Sequence, residues 1–324
     1  MNKSNFSCWI VTEGMAGTEN QCLGITDQLG ITPEIKRIKL RFPWKQLSPY
    51  FRIGQKWACS QNSDSLTAPW PDLVIASGRK SIPAALHIKK ASKNKTLIVQ
   101  VQDPRISSKH FDLVVVPQHD PTRGDNVMTT TGALHRVTAE KRKTEAVKFP
   151  NLYHEGLPHI AVLLGGNSRA HTVTKDGMRK LAAALADLAH SHRILMTASR
   201  RTPDDCLDIL KDGLTDHENV YLWDGTGDNP YFAFLEFADY IMVTEDSVSM
   251  TSEAISTGKP VYTIPLEGGA PRLNKFHELL QTQGYTRIFS EDSELEQWQY
   301  KPPHDTLTIA NKIKSILEER TQKQ

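Results

Sequence analysis

The 324-residue sequence contains few cysteines, and their spacing matches no known metal or redox motif. The four, at positions 8, 22, 59 and 206, are scattered without a C-x-x-C pair, which argues against a disulfide framework and a zinc knuckle. Reduced, packed thiols in a cytoplasmic protein are therefore expected. The twelve histidines include no H-E-x-x-H motif, so we predict no metal site and no cofactor.

Long apolar runs and a strong net charge are also lacking. No stretch of 18 apolar residues occurs, and the short apolar segment near the N-terminus leads directly into a strand, so we expect neither a membrane span nor secretion. A net charge of +2 gives no global electrostatic case for a nucleic-acid partner. The length and composition are typical of a soluble protein with two domains of ordinary size.

What the sequence does contain is a repeated strand, turn and helix pattern, which is clearest after residue 240. Apolar runs predict two buried strands, Tyr240–Thr244 and Val261–Ile264, separated by a short helix that ends near Gly258. Asp246 or Ser247 is a natural cap for that helix. A helix that opens at the carboxyl end of a parallel strand directs free N–H groups toward a ligand crevice, so we predict an anion site there.

Three other predicted strands of the second half also end in polar or glycine-rich turns. Arg200 and Arg201 follow one of them, where they could bind a diphosphate or could be exposed loop charges. The turns after the other two strands consist of Gly165, Gly166, Asn167 and Ser168, and of Trp223 with Asp224.

The first half repeats the pattern with weaker signals. Gly14 and Gly17 lie in a turn after the first strand, and they either make a tight turn or let an acceptor approach the backbone. Arg79 and Arg105 follow later strands and are candidate acceptor-side cations. The candidate general bases are Glu13, Glu19 and Asp103, although an aspartate before proline is often a turn residue.

The stretch 36–45 alternates basic residues with apolar and aromatic ones. One interpretation is an edge strand whose charges discourage pairing with another chain. The other is a peripheral contact with an anionic membrane or a lipid-linked acceptor, which would place the protein at the inner face of the membrane.

The helix after Ser247 resembles the donor-sugar motif of GT-B glycosyltransferases, notably the lipid-linked muropeptide N-acetylglucosaminyl transferases. The resemblance is carried by its hydroxyl residues, by Ser252-Glu253-Ala254-Ile255, and by Pro260 and Pro265. It implies that Glu253 holds the nucleotide ribose. The alternative is that this glutamate faces solvent on an ordinary helix. The motif adds Glu245, Asp246, Ser247, Ser249, Met250 and Thr251 to the predicted nucleotide-sugar site.

Several segments together resemble the bacterial members of the plant mitochondrial-fission protein family, formerly a domain of unknown function. They are TEGMAGTENQ, SGRKSIPAAL, QVQDPR, VVVPQHD, LLGGNS, TASRRTP and VTEDSVSMTSEA. The resemblance spans essentially the whole chain. It implies a GT-B-like α/β architecture of two Rossmann-like domains facing across a cleft, with the terminal helix packing back toward the first domain.

These expectations define one functional hypothesis and one alternative. Residues 1–150 would be the acceptor-side domain, and residues 151–324 would bind the nucleotide-sugar. The protein would then be a metal-independent glycosyltransferase acting on an unknown acceptor, lipid-linked or an envelope glycan. The alternative is a binding or recruitment protein of the mitochondrial-fission family that keeps the fold without the chemistry.

Overall fold

The computed structural model describes residues 6–291 and 294–322, which form two compact units. Unit 1 contains the chain up to Arg136 together with the segment from His304, and unit 2 contains Val137–Pro303. Within the described residues no helix carries a segment apolar enough to cross a bilayer. All four cysteines are free thiols.

Unit 1 is built on a six-stranded, fully parallel sheet of order β2-β1-β3-β4-β5-β6. The central strands are continuous apolar runs, and they are buried because helices cover both faces of the sheet. Its strands are β1 (Cys8–Thr12), β2 (Glu34–Arg37), β3 (Leu73–Ser77), β4 (Leu97–Val101), β5 (Leu113–Pro117) and β6 (Val127–Thr130), and its first helices are α1 (Ala16–Leu29), α2 (Trp44–Leu47) and α3 (Ile82–Ala91).

Unit 2 repeats this architecture with a parallel sheet of order β10-β9-β7-β11-β12-β14. A small antiparallel pair, β8 with β13, joins two loops beyond the sheet. The strands are β7 (His159–Leu164), β8 (His171–Thr172), β9 (Arg193–Ala198), β10 (Val220–Trp223), β11 (Tyr240–Thr244), β12 (Val261–Ile264), β13 (Glu267–Gly268) and β14 (Thr286–Ile288). The helices are α4 (Ala139–Ala146), α5 (Lys175–Leu188), α6 (Asp204–Leu214), α7 (Tyr231–Phe237), α8 (Val248–Ile255) and α9 (Pro271–Thr282).

Unit 2 begins earlier than the predicted range 151–324, because α4 belongs to it. Thr138 caps this helix by accepting a hydrogen bond from the Lys141 amide at 3.1 Å. The helix packs against α7, and Arg142 forms an ion pair with Glu236 at 2.8 Å. The predicted boundary at residue 150 lies after α4 because this helix was not recognised in the sequence. A short and highly charged helix has little of the apolar periodicity by which helices are predicted.

The last helix, α10 (Asp305–Gln322), belongs to unit 1. It packs against α1 and buries Ile309, Ile313 and Leu317 in the core on that side of the sheet. The Asp305 carboxylate fixes its start by accepting the Thr131 amide at 2.8 Å. The prediction that the terminal helix packs back toward the first domain is thus confirmed, although the predicted range of the second domain had included it.

The basic and aromatic stretch 36–45 is only partly a strand. β2 ends at Arg37 and is the edge of its sheet, as one interpretation predicted. Of the apolar residues beyond it, Ile38, Leu40 and Trp44 are buried in unit 1, whereas Phe42 is 76% exposed.

Candidate functional site

The carboxyl ends of three neighbouring strands of unit 2 are tied together by the carboxylate of Asp246. Its Oδ1 accepts a hydrogen bond from the Thr244 hydroxyl at 2.7 Å, and its Oδ2 accepts the Gly166 amide at 3.1 Å and Arg201 Nη2 at 2.7 Å. The Thr244 hydroxyl in turn accepts the Gly165 amide at 2.7 Å. The turns after β7, β9 and β11 therefore form one hydrogen-bonded assembly.

The two glycines after β7 are required by this close approach. A Cβ atom on Gly165 would lie 2.0 Å from Asp246 Oδ1, and one on Gly166 would lie 2.1 Å from the Arg201 carbonyl carbon. Neither neighbour is a flexible chain end that can move aside, since one is a buried carboxylate and the other is backbone. Gly165 and Gly166 are therefore needed for the turns at these strand ends to pack against one another.

The two predicted diphosphate-binding arginines have different environments. Arg201 pairs with Asp246, whose side chain is fully buried, and its Nη1 also donates to the Gly166 carbonyl at 3.4 Å. Arg200 is exposed, forms no ion pair with any described residue, and lines a cavity. Arg201 consequently holds the turn in place, while Arg200 is the cation available to a ligand.

The cavity beside Arg200 has a volume of about 580 Å³ and lies at the carboxyl ends of β7, β9 and β10. This is the edge at which parallel sheets of this kind bind ligands. Its lining combines one cation and two aspartates with hydroxyls, two aromatic rings and apolar side chains: Leu164, Thr197, Ala198, Ser199, Arg200, Thr202, Asp204, Leu207, Trp223, Asp224, Gly225, Asn229, Tyr231 and Met250.

The turn after β10 fixes the aromatic side of this cavity. Asp224 accepts hydrogen bonds from the Thr226 hydroxyl at 2.7 Å and amide at 2.8 Å, and these bonds lower the pKa of its carboxyl group. Trp223 Nε1 donates to the Thr226 carbonyl at 2.8 Å, which holds the indole ring in place. Both predicted residues therefore line the cavity on a well-defined turn.

Glu253 lies next to the cavity rather than in its lining. Its carboxylate accepts a hydrogen bond from the hydroxyl of Tyr231, which does line the cavity. Burial raises the pKa of Glu253 to about 7, even though the Tyr231 hydrogen bond acts in the opposite direction. The interpretation of a solvent-facing glutamate does not describe this environment.

Helix α8 begins beside the same cavity. Ser247 is its cap and accepts the Met250 amide at 3.3 Å, so of the two predicted cap residues Ser247 fills this role. Met250 lines the cavity, and Ser249 is partly buried in the first helical turn. Thr251 is fully buried and donates back to the Ser247 carbonyl at 2.9 Å, which directs its hydroxyl into the helix.

Glu245, Asn167 and Ser168 take part in contacts within loops. Glu245 Oε1 accepts the Leu266 amide at 2.7 Å and lies 3.6 Å from His171 Nε2. Asn167 Oδ1 accepts the Val173 amide at 2.7 Å, and the Ser168 hydroxyl accepts the His171 amide at 3.0 Å. These three side chains shape the loops that β8 and β13 join.

The three candidate bases are located at the carboxyl ends of β1 and β4 in unit 1. Glu19 is buried and receives two hydrogen bonds from Arg37, at 2.9 and 3.1 Å. Asp103 accepts the Arg105 amide at 2.8 Å and the Thr122 hydroxyl at 2.7 Å, as expected of a turn residue. Glu13 is exposed and, within the described part of the chain, has one ion pair, with Lys80 at 2.8 Å.

The predicted acceptor-side residues lie at the same edge of the unit 1 sheet. Gly14 has a φ of 88° and directly follows Glu13, whereas Gly17 lies within the first turn of α1. Arg79 follows β3 and Arg105 follows β4, and both are exposed. Arg105 has a φ of 55°, a left-handed conformation that is uncommon for a residue with a side chain.

Several residues that line the cavity were not among the predicted site residues. Tyr231 opens α7 and reaches Glu253, and Asn229 accepts the Tyr231 amide at 2.9 Å. Ser199 and Thr202 flank the two arginines. Their position was the available signal. Both are hydroxyl residues next to two arginines that were predicted to bind a ligand at a strand end, so they could have been added to the predicted site.

Comparison with known proteins assigns the family. A model of the family described as mitochondrial fission ELM1 matches residues 16–317. The chain belongs to the mitochondrial fission ELM1 family. The mitochondrial fission protein ELM1 of Arabidopsis thaliana is 31% identical over 277 residues, a match that covers 77% of this chain and 65% of the plant protein. An uncharacterized Rickettsia prowazekii protein, RP120, is 27% identical over an alignment of 355 residues with gaps, which covers 95% of this chain and 98% of that protein.

Solved structures confirm that this ELM1-family member has a GT-B-like fold. The UDP-GlcNAc 2-epimerase of Methanocaldococcus jannaschii superposes with a TM-score of 0.55 at 13% identity, covering 94% of this chain and 92% of that one. The Neisseria meningitidis UDP-GlcNAc 2-epimerase, bound to UDP-GlcNAc, gives a TM-score of 0.50 at 15% identity, covering 98% of this chain and all of the other. The predicted α/β fold and family are thereby established.

Proposed function

We propose that unit 2 binds a nucleotide-sugar in the cavity beside Arg200 and that the protein is a GT-B-like glycosyltransferase. The observation that carries this proposal is the composition of the cavity lining. The lining brings together the Arg200 guanidinium group, which forms no ion pair with any described residue, several hydroxyls, two aromatic rings, two aspartates and Met250 from the first turn of α8. The structurally similar epimerase from Neisseria is bound to UDP-GlcNAc, which makes a uridine nucleotide the first donor to test.

The diphosphate would lie among Arg200, Ser199 and the first turn of α8. Arginine binds phosphate oxygens through two parallel hydrogen bonds, and the N-terminus of a helix favours negative charge. Arg201 would contribute indirectly, because its pairing with Asp246 fixes the turn from which Arg200 projects. No metal ion is needed in this scheme, since the protein's own cations and amides neutralise the leaving group.

The nucleoside would lie toward Trp223 and Tyr231. The indole ring of Trp223 offers a face for stacking, and its position is held by the bond to Thr226. The Tyr231 and Glu253 pair adjoins this region, so a ribose hydroxyl could replace or share the Tyr231 hydrogen bond. This arrangement keeps the role for Glu253 that the resemblance to GT-B enzymes implies.

In the transfer itself, an acceptor oxygen would form a bond to the anomeric carbon as the bond to the diphosphate breaks. The acceptor proton would pass to a general base. Among the three candidate carboxylates, Glu13 is exposed and forms a single ion pair within the described residues, whereas Glu19 and Asp103 already accept two hydrogen bonds each.

A pair of neighbouring variants tests nucleotide binding. Uridine diphosphate at about 100 times its Kd should stabilise the native protein by about 2.7 kcal/mol. That stabilisation raises the Tm of a unit of this size by roughly 5–10 °C. Arg200→Ala should keep the Tm of the unliganded protein and lose most of the shift. Arg201→Ala should lower the Tm of the unliganded protein, because it leaves the buried Asp246 carboxylate without its cation.

The alternative function is a binding or recruitment protein without chemistry, and membership of the ELM1 family supports it. Absence of a Tm shift with a panel of nucleoside diphosphates and their sugars, in protein that is folded, would favour this alternative. A shift with one nucleotide-sugar but no product with any acceptor would retain binding and argue against transfer.

A further inference from the structure

Unit 1 carries an unusual concentration of exposed apolar side chains between Arg41 and Trp57. Five of the ten large hydrophobic side chains exposed among the described residues fall here. Ile53 and Phe42 are each 76% exposed, and Tyr50, Trp57 and Leu47 are 65%, 54% and 50% exposed. Single exposed apolar residues need no explanation, but a cluster of this size marks an interaction surface.

The segment is a loop that leaves unit 1 and returns to it, and contacts within the loop hold its shape. Its two ends are joined where the Arg41 amide donates to the Ala58 carbonyl at 3.0 Å. Inside it, Trp44 is buried, packs edge-on against Phe51, and donates from Nε1 to the Ile53 carbonyl at 3.1 Å. An aromatic interior therefore holds the exposed apolar residues in place, so their exposure is a built feature.

The same segment is surrounded by positive charge without acidic partners. From Ile35 to Ser63 the sequence contains no aspartate or glutamate. Arg52, Lys56, Lys90 and Lys109 form no ion pair with any described carboxylate, and Lys56 lies 4.2 Å above the centroid of the exposed Trp57 ring.

These cations line two adjoining cavities, and the side chains of the lining offer more hydrogen-bond donors than acceptors. The cavities have volumes of about 470 and 500 Å³ and share Arg52, Gln55 and Lys90. Gln55 Nε2 is buried and has no acceptor among the described residues. An anion that enters these cavities would supply the missing acceptor.

We propose that this surface, residues 41–57 together with Lys90 and Lys109, docks unit 1 on an anionic phospholipid bilayer. Apolar side chains would enter the boundary between headgroups and acyl chains, and lipid phosphates would occupy the cationic cavities. Trp57 and Tyr50 are the side-chain types that favour that depth, because their rings are apolar and their tips are polar. A nucleic acid would match the charge but would leave the five apolar side chains in water.

Flotation of the full chain with vesicles tests this proposal. Vesicles of phosphatidylcholine alone are compared with vesicles in which a quarter of the lipid is phosphatidylglycerol. The protein should float with the anionic vesicles, should bind the neutral ones much less, and should dissociate in roughly 1 M salt, where the Debye length is only about 3 Å. The fluorescence of Trp57 should shift to shorter wavelength on binding, and Trp57→Phe should remove most of that shift.

Two double variants and a matched control separate the contribution of the cations to membrane binding from that of the apolar side chains. Lys56→Ala with Lys90→Ala should weaken partitioning about 25-fold, because each cation near an anionic surface contributes about fivefold. Ile53→Ser with Trp57→Ser should weaken it by about tenfold or more, since both side chains lose their apolar contact with lipid. Val147→Ser with Ile288→Ser removes two exposed apolar side chains from unit 2 and should change nothing.

Circular dichroism and the Tm must show that every variant is folded. The proposal is overturned if folded wild-type protein stays with the unbound fraction at low salt, or if the Ile53 and Trp57 variant floats like wild type. Competition by single-stranded RNA, with RNA affinity unchanged in that apolar variant, would assign the surface to nucleic acid instead. Nucleotide-induced stabilisation should be the same in all three double variants, so this result is separable from that of the cavity in unit 2.

Discussion

Replacing Glu253 with glutamine should change how the stability of unit 2 depends on pH. The pKa of this carboxyl rises from 4.5 to about 7 in the folded protein, chiefly because the group is buried. A tenfold change in proton affinity corresponds to about 1.4 kcal/mol, so the shift corresponds to about 3 kcal/mol. Since the folded-state pKa is the higher one, the favourable contribution is complete below pH 4.5 and is lost as the pH rises toward 7 and above.

The variant Glu253→Gln has nearly the same shape, can still accept the Tyr231 hydrogen bond, and carries no charge at any pH. We therefore expect the variant to be more stable relative to wild type at high pH: its free energy of unfolding minus that of wild type should be about 3 kcal/mol larger at pH 8 than at pH 4.5. Taking the difference between the two pH values cancels any pH-independent cost of the amide. Chemical denaturation of the full chain measures it, and only the transition of unit 2 should respond.

Glu278→Gln is the matched control, because Glu278 is an exposed glutamate on another helix of unit 2. Its relative stability should change little between the two pH values. The reasoning is refuted if Glu253→Gln shows the same small change as this control, or if the variant becomes relatively less stable as the pH rises. Either result would mean that Glu253 is as well solvated in the native protein as in the unfolded chain.

Two further predictions concern the strand-end assembly and the unit boundaries. Gly165→Ala should destabilise unit 2 by about 3 kcal/mol, because its Cβ would overlap the buried Asp246 carboxylate. The control is Gly177→Ala, in the first turn of α5, which should change stability by less than about 1 kcal/mol. Chemical denaturation measures both. A fragment of residues 137–303 should fold and resist proteolysis, whereas 151–324 should aggregate, because it lacks α4 and exposes Ile309, Ile313 and Leu317, each worth about 2 kcal/mol of burial. A stable, monomeric 151–324 fragment would contradict the observed division of the chain.

Much of the fold could be predicted because its strands are continuous apolar runs followed by turn residues. The strands Tyr240–Thr244 and Val261–Ile264 have the predicted limits. Parallel order then follows from the alternation of strands and helices, since the crossover helices place successive strands side by side. Helix α4 could not be recognised, because its charged sequence is stabilised by contact with α7 rather than by a periodic apolar face of its own.

The candidate site was predictable in outline and not in its pairings. Strand ends rich in glycine, arginine and hydroxyl residues indicated where a ligand could bind, and Arg200, Trp223, Asp224 and Met250 do line the cavity. The pairing of Arg201 with Asp246 could not be predicted, because 45 residues separate them and only the packed sheet brings their turns together. The same holds for Glu253 with Tyr231 and for Glu19 with Arg37, which are 22 and 18 residues apart.

The return of the chain to unit 1 through α10 has a consequence for biosynthesis. The His135 amide donates to the Thr306 hydroxyl at 3.2 Å, so the segment that leaves this unit and the one that re-enters it lie side by side. As the polypeptide emerges from the ribosome, unit 2 is synthesised before α10, so the apolar surface beside α1 stays uncovered until the end of synthesis. At about 5–20 residues per second the delay is on the order of 10–30 s. During that interval the first unit exposes the apolar surface that Ile309, Ile313 and Leu317 later cover.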